Sequence, residues 1–103
     1  MTKAALLAKI KDNMRIRHTA LDNAITDDMN AGALELERAG VSAYQIKDNA
    51  KEFSDDQLVL TAIRYFVQSA ENYNDKGQQY QQSFEKLRDA MALSGDYQCV
   101  TSS

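Results

Sequence analysis

Not one proline interrupts the 103 residues of this chain, and four glycines are its only other strong breakers of regular structure. Proline removes a backbone donor and fixes one dihedral, while glycine is costly to order. A chain this poor in both can form long unbroken helices and is badly supplied for the turns of a sandwich or barrel. Its length suits a single compact domain. Fourteen of its apolar residues are alanines, and Leu, Ile, Val and Phe together number only 21, a thin supply of large side chains for a core. The expectation is an all-α fold, a small antiparallel bundle of four main helices over about residues 3–15, 20–39, 55–73 and 77–93. They form one domain over 1–95, with an extended tail over 96–103.

Apolar spacing places these helices. Thr2 is a plausible cap before Leu6, Leu7, Ile10 and Met14, which recur on one face. From a cap at Thr19, the second face runs Leu21, Ile25, Met29, Gly32, Leu36 and Ala39, with Gly40 as the left-handed stop and Val41 as its apolar partner. Gly32 lies on that apolar face, where a missing Cβ lets another helix come close; the rival reading is a break at Asn30-Ala31-Gly32. Residues 41–53 are ambiguous. Ser42 with Gln45 could cap a short helix near 43–51, and an ordered loop fits equally. Ser54 with Gln57 reads as a capping box opening the third helix, with Val59, Ala62, Ile63, Phe66, Ala70 and Tyr73 facing the core. Leu60 and Val67 fall on a different face beside Arg64 and Glu71, so these four form a candidate subunit interface. A polar turn at Asn74-Asp75-Lys76-Gly77, with an Asp75–Gln78 box, leads to a fourth helix whose inward stripe is Tyr80, Phe84, Leu87 and Met91.

Little catalytic chemistry can be assembled from this sequence. One histidine, His18, and one cysteine, Cys99, cannot supply a structural zinc set or an obvious nucleophile and base. Asp27-Asp28 and Asp55-Asp56 are sequence neighbours that diverge around a helix, so they read as helix-terminal or solvated charges. Neither a phosphate-binding glycine loop nor a dinucleotide fingerprint is present. The expectation is no enzyme, no cofactor and no metal. With no apolar run near ~20 residues and no leader pattern at Met1–Lys11, the expectation is a protein without a membrane partner, made in a cytoplasm.

Charge is distributed unevenly. Lys3, Lys9, Lys11, Arg15 and Arg17 face only Asp12 within residues 1–18, a net of +4, whereas residues 19–56 hold nine acids against three bases in a chain of net charge −3. Lys9, Lys11, Arg15 and Arg17 are therefore a candidate basic contact patch. Such polarity suits head-to-tail contacts between copies. The alternative is a DNA-binding packaging factor or small helical regulator that uses the basic first helix, for which the overall acidity is a poor footprint.

The run LVLTAIRYFV from Leu58 to Val67, then Tyr73-Asn74-Asp75, then Tyr80 to Phe84, and finally Leu93-Ser94-Gly95-Asp96-Tyr97 resembles the small head-tail connector proteins of tailed bacteriophages and prophages. Leu34 to Val41, ending Arg38-Ala39-Gly40-Val41, is similar to the close of their long second helix. The resemblance covers roughly residues 33–97, and the N-terminal third departs from it. It implies a structural virion protein with no catalysis. Copies would form a ring of about twelve beneath the portal after DNA packaging, extend the DNA channel and dock the tail. The partners implied are sister copies, the phage portal protein, tail completion proteins, and DNA passing through the lumen without sequence-specific binding. The location implied is the head-tail interface of the virion, after synthesis in the bacterial host cytoplasm. Tyr97, Cys99 and Val100 form a candidate portal-docking tail.

Overall fold

The computed structural model describes residues 1–94. Four helices, α1 (Lys3–Asn13), α2 (Asp22–Arg38), α3 (Gln57–Ala70) and α4 (Gly77–Ser94), are joined by a two-stranded antiparallel sheet of β1 (Tyr44–Lys47) and β2 (Ala50–Phe53), and by a tight turn at Tyr73–Asp75. Of the described residues 67% are helical and 10% lie in strands, a mixed α/β fold. The all-α expectation and its short helix near 43–51 are both overturned by the sheet.

The sheet forms because of its turn. Asp48 and Asn49 have φ of 52° and 66°, the positive pair that a two-residue type I′ hairpin requires. Short polar side chains make Asp and Asn the residues other than glycine that best tolerate this region. Tyr44 then pairs with Phe53, and their rings stack with centroids 5.3 Å apart. Lys51 places its Nζ 4.3 Å from the Tyr44 ring centre. A lone hairpin is marginal in water; this one is anchored by the buried Phe53 ring. It is also extended by Met1, whose carbonyl accepts the Phe53 N–H at 2.9 Å while its ammonium donates to the Phe53 carbonyl at 2.9 Å.

Several helix ends match the sequence expectation and others do not. Thr2 caps α1 by accepting the Ala5 N–H at 3.1 Å, but the helix stops at Asn13 instead of residue 15. The Ile16 N–H reaches back to the Lys11 carbonyl and Arg15 takes φ 57°, a left-handed stop built on arginine. Helix α2 is continuous through Gly32. It starts at Asp22 without a side-chain cap, so Thr19 contributes only a backbone turn, accepting the Asp22 N–H on its carbonyl. Gly40, at φ 88°, ends the helix with the Gly40 and Val41 N–H groups on the Glu37 and Leu36 carbonyls. Both bonds of a Schellman stop are made. At α3 the cap is Asp56, whose Oδ1 accepts from Leu58 at 2.9 Å and from Val59 at 3.4 Å. Ser54 instead accepts the Asp56 N–H, so the helix opens two residues later than its expected start and closes at Ala70 rather than Tyr73. The first N–H of α4, from Gly77, goes to Asn72 Oδ1 at 3.0 Å.

The core gathers Leu6, Ile10 and Met14 of the α1 segment, Ile25, Met29, Ala33 and Leu36 of α2, Val59, Ala62, Ile63 and Val67 of α3, and Phe84 and Met91 of α4. Helix α3 is its axis. The molecule measures 43 × 32 × 18 Å, and 18 Å is less than two helix diameters of about 10 to 12 Å. Helices α2 and α4 both pack against α3 and leave an open groove between them.

Candidate subunit-contact surfaces

The four residues expected to form an apolar contact face do not stay together on the surface. Leu60 and Val67 are 5% and 0% exposed and belong to the protomer's own core. Helix α1 covers that side of α3: Leu6, Lys9, Ile10 and Asn13 lie across a small cleft from Gln57, Leu60, Thr61 and Arg64. Arg64 donates to Asn13 Oδ1 at 3.3 Å and lies 5.3 Å from the Tyr65 ring centre. Glu71 ends α3 a full turn away. The spare apolar width of α3 is thus consumed within the protomer, at Leu60 beside the N-terminal helix.

The basic patch is divided in the same way. Lys11 is drawn onto α2, its Nζ 2.6 Å from Asp22 Oδ1. Lys9, Arg15 and Arg17 are exposed, and among the described residues none of the three has an ion pair. The candidate docking tail, Tyr97, Cys99 and Val100, lies outside the described residues.

Two surfaces that the sequence does not announce emerge instead. On the hairpin, Ile46 is 73% exposed, held on the same face as the Tyr44 and Phe53 rings by the alternation of the strands. Burial, followed by the charge of Glu37, pushes the Tyr44 phenol above its ordinary pKa. The second surface is the groove over α3, a cavity of about 310 Å³. Its floor is Phe66, Ser69 and Ala70 of α3 with Phe84 of α4, the two phenyl rings meeting edge to face at 5.2 Å. Glu35 stands on the α2 rim, and Gln81, Glu85 and Arg88 on the α4 rim. Arg88 is engaged locally, with Nε 3.0 Å from Asp89 Oδ1 and its guanidinium 5.9 Å from the Phe84 ring centre. Glu85 accepts from the neutral Gln81 amide at 3.4 Å. Glu35 meets Arg38 at 3.3 Å in an exposed pair, an arrangement worth little in water.

Asp28, Gly32 and Glu35 share one face of α2 by their spacing, which carries acidity on toward the end of α3. There Asp28 meets Glu71. Partial burial, then a hydrogen bond with Glu71 and the negative charges of Glu71 and Asp27, push the Asp28 carboxyl up to about 6. The sequence held a signal for this rim, acids at residues 28 and 35 one heptad apart on either side of Gly32. The cavity itself depends on where α4 lies.

Compared with protein-family models, with curated proteins and with solved structures, the chain matches none of them. Among the described residues no three His, Cys, Asp or Glu side chains converge as a metal site. No described helix is long and apolar enough to cross a membrane.

Proposed function

We propose that this protein is a head-tail connector of a tailed phage or prophage particle, a structural module whose copies form a ring beneath the portal. The ring extends the DNA channel and offers the tail a docking surface. One observation carries the reading: three of the stretches that resemble the connector family lie in order on a single antiparallel helical hairpin. The run Leu58–Val67 occupies α3, Tyr73-Asn74-Asp75 forms the tight turn, and Tyr80–Phe84 opens α4. Tyr80 lies 6.2 Å from Tyr65 and 6.3 Å from Tyr73 between ring centres, so the spaced aromatics clasp the turn. Apolar side chains left in water at Leu34, Ile46, Leu58 and Leu93 are spread over α2, the hairpin and the open end of the α3–α4 pair, as suits a subunit with several neighbours. The net charge of −3 suits a channel lining that must let phosphates slide past without holding them.

The test is reconstitution. The full chain is mixed with a portal protein from a tailed phage or prophage of the genome that encodes it, and the complex is imaged by electron microscopy. A ring of added density coaxial with the portal is the expected result. A portal that stays bare at saturating concentrations of this protein overturns the proposal.

A further inference from the structure

We propose that the groove between α2 and α4 receives a second copy of this chain, which inserts Arg15 and Arg17 of its α1–α2 loop, so that copies join head to tail. The inference deepens the connector reading by naming the surfaces through which neighbouring copies meet.

The chemistry of the groove selects a guanidinium. An aromatic floor of Phe66 and Phe84, meeting edge to face beneath carboxylates at Glu35 and Glu85, offers a ring face for stacking and oxygens for paired N–H donors, the two demands arginine meets and lysine meets less well. The protomer already makes one such contact in Arg88 over Phe84, backed by Asp89. A volume of about 310 Å³ leaves room for more. The groove acids are weakly satisfied from within: Glu85 has a neutral amide, Glu35 an exposed arginine one turn along its own helix. Further along the same face, Asp28 is hydrogen-bonded to Glu71, and burial first, then that bond and the charges of Glu71 and Asp27, raise its pKa.

The occupant is equally specified. Residues 1–18 carry +4 while the remainder of the chain carries −7, and Arg15 and Arg17 are exposed. Arg15 is held at φ 57°, a conformation that costs a non-glycine residue about 1 kcal/mol. A copy cannot fill its own groove. Helix α1 packs beside Leu60 and Arg64, whereas the groove floor uses Phe66, Ser69 and Ala70, and at 100° per residue these lie on opposite sides of α3. Along α2, Glu35 is thirteen residues from the loop end at Asp22, a rise of about 20 Å. The contact must therefore be between molecules. Because its two sides differ, it is heterologous and propagates into a ring or a filament.

Sedimentation velocity on the full chain tests this directly. The wild type is expected to associate with rising concentration and to dissociate at least tenfold more readily in 0.5 M than in 0.05 M salt. Glu35→Lys with Glu85→Lys, and separately Arg15→Glu with Arg17→Glu, should each give monomers with unchanged far-ultraviolet circular dichroism. The gentler pairs Glu35→Gln with Glu85→Gln, and Arg15→Gln with Arg17→Gln, cover any folding defect and should weaken association in the same order. Mixing the variant Glu35→Lys with Glu85→Lys and the neutral variant Arg15→Gln with Arg17→Gln should yield a 1:1 dimer and nothing larger, because each retains one intact side and the altered groove and altered loop do not attract each other. A wild type that stays monomeric at every concentration, association indifferent to both variant pairs, or a mixture that fails to dimerise overturns the inference. A wild type that associates only after residues 95–103 are deleted also overturns it, since the groove would then belong to the chain's own tail. Self-association without portal binding would sink the connector reading and leave this contact standing; portal binding by copies that never pair through the groove would do the reverse.

Discussion

Phe66 of α3 lies so close over Gly32 of α2 that a Cβ built on residue 32 would stand 3.0 Å from both Cβ and Cγ of Phe66. Those atoms sit next to the α3 backbone, so they cannot swing aside as the tip of a long side chain would. The close approach also sets the depth of the groove, whose floor is the same phenyl ring.

Gly32→Ala should therefore destabilise the protein although alanine is the better helix former by about 1 kcal/mol. Overpacking of this kind costs about 1 to 3 kcal/mol. The expected net loss of about 1 kcal/mol lowers the melting temperature by about 4 to 8 °C in a chain of this size. Thermal denaturation followed at 222 nm decides it, and a raised melting temperature would mean that the two helices part at no cost.

Val67→Asp places a carboxylate at a fully buried position. An unpaired buried charge costs several kcal/mol, against a total stability of about 5 to 15 kcal/mol for a typical domain. The variant should lose cooperative unfolding and much of its helical signal, while Leu34→Asp, at a residue 52% exposed, should move stability by no more than about 0.5 kcal/mol. Retained helicity in Val67→Asp would contradict the packing of α3.

The Asp28 carboxyl, raised from 3.8 to about 6, makes stability depend on pH in a defined direction. Across that interval the folded state holds a proton that the unfolded chain has released, so the contribution is full below about pH 4 and is lost as pH rises through 6. Solvent screening at this half-exposed site reduces it to about 1 kcal/mol. Asp28→Asn should flatten the profile between pH 4 and 6 and be the more stable protein at pH 7. Urea midpoints at pH 4.5 and 7.5 test this; an equal drop in both proteins would assign the effect to another group.

The hairpin turn offers a comparison of opposite sign. At φ 66° Asn49 occupies a position where glycine has no strain, so Asn49→Gly should be neutral or slightly stabilising. Asn49→Ala forces a β-carbon into that region and should cost about 1 to 2 kcal/mol. Urea denaturation of the two variants side by side is sufficient. Equal midpoints would show that the turn does not limit stability.

Signals that reside in a few adjacent residues were readable directly. The Thr2 cap, the Gly40 and Val41 stop, the continuity of α2 through Gly32 and the helical hairpin about Tyr73 to Gly77 each depend on local backbone chemistry or on one regular apolar stripe. The β-hairpin was hidden because Ile46, Ala50 and Phe53 also fit a helical period, and Asp48-Asn49 marks a turn only once its left-handed dihedrals are recognised. Asp56 displaced Ser54 as the α3 cap because both oxygens are within reach of free N–H groups and a small shift along the chain selects between them.

The sequence by itself determined the four helical segments, the stop of α2 at Gly40 and how charge is divided between the N-terminal helix and the rest of the chain, since each of these is set within a few residues. Tertiary structure alone decided which apolar faces were already spoken for. Leu60 and Val67 looked spare on an isolated α3 and vanished beneath neighbouring elements, while Phe66, Glu35 and Glu85 came together only when α2 and α4 settled on either side of that helix. Burial is a property of pairs of elements distant in sequence, and no period read along one helix says which partner will cover it.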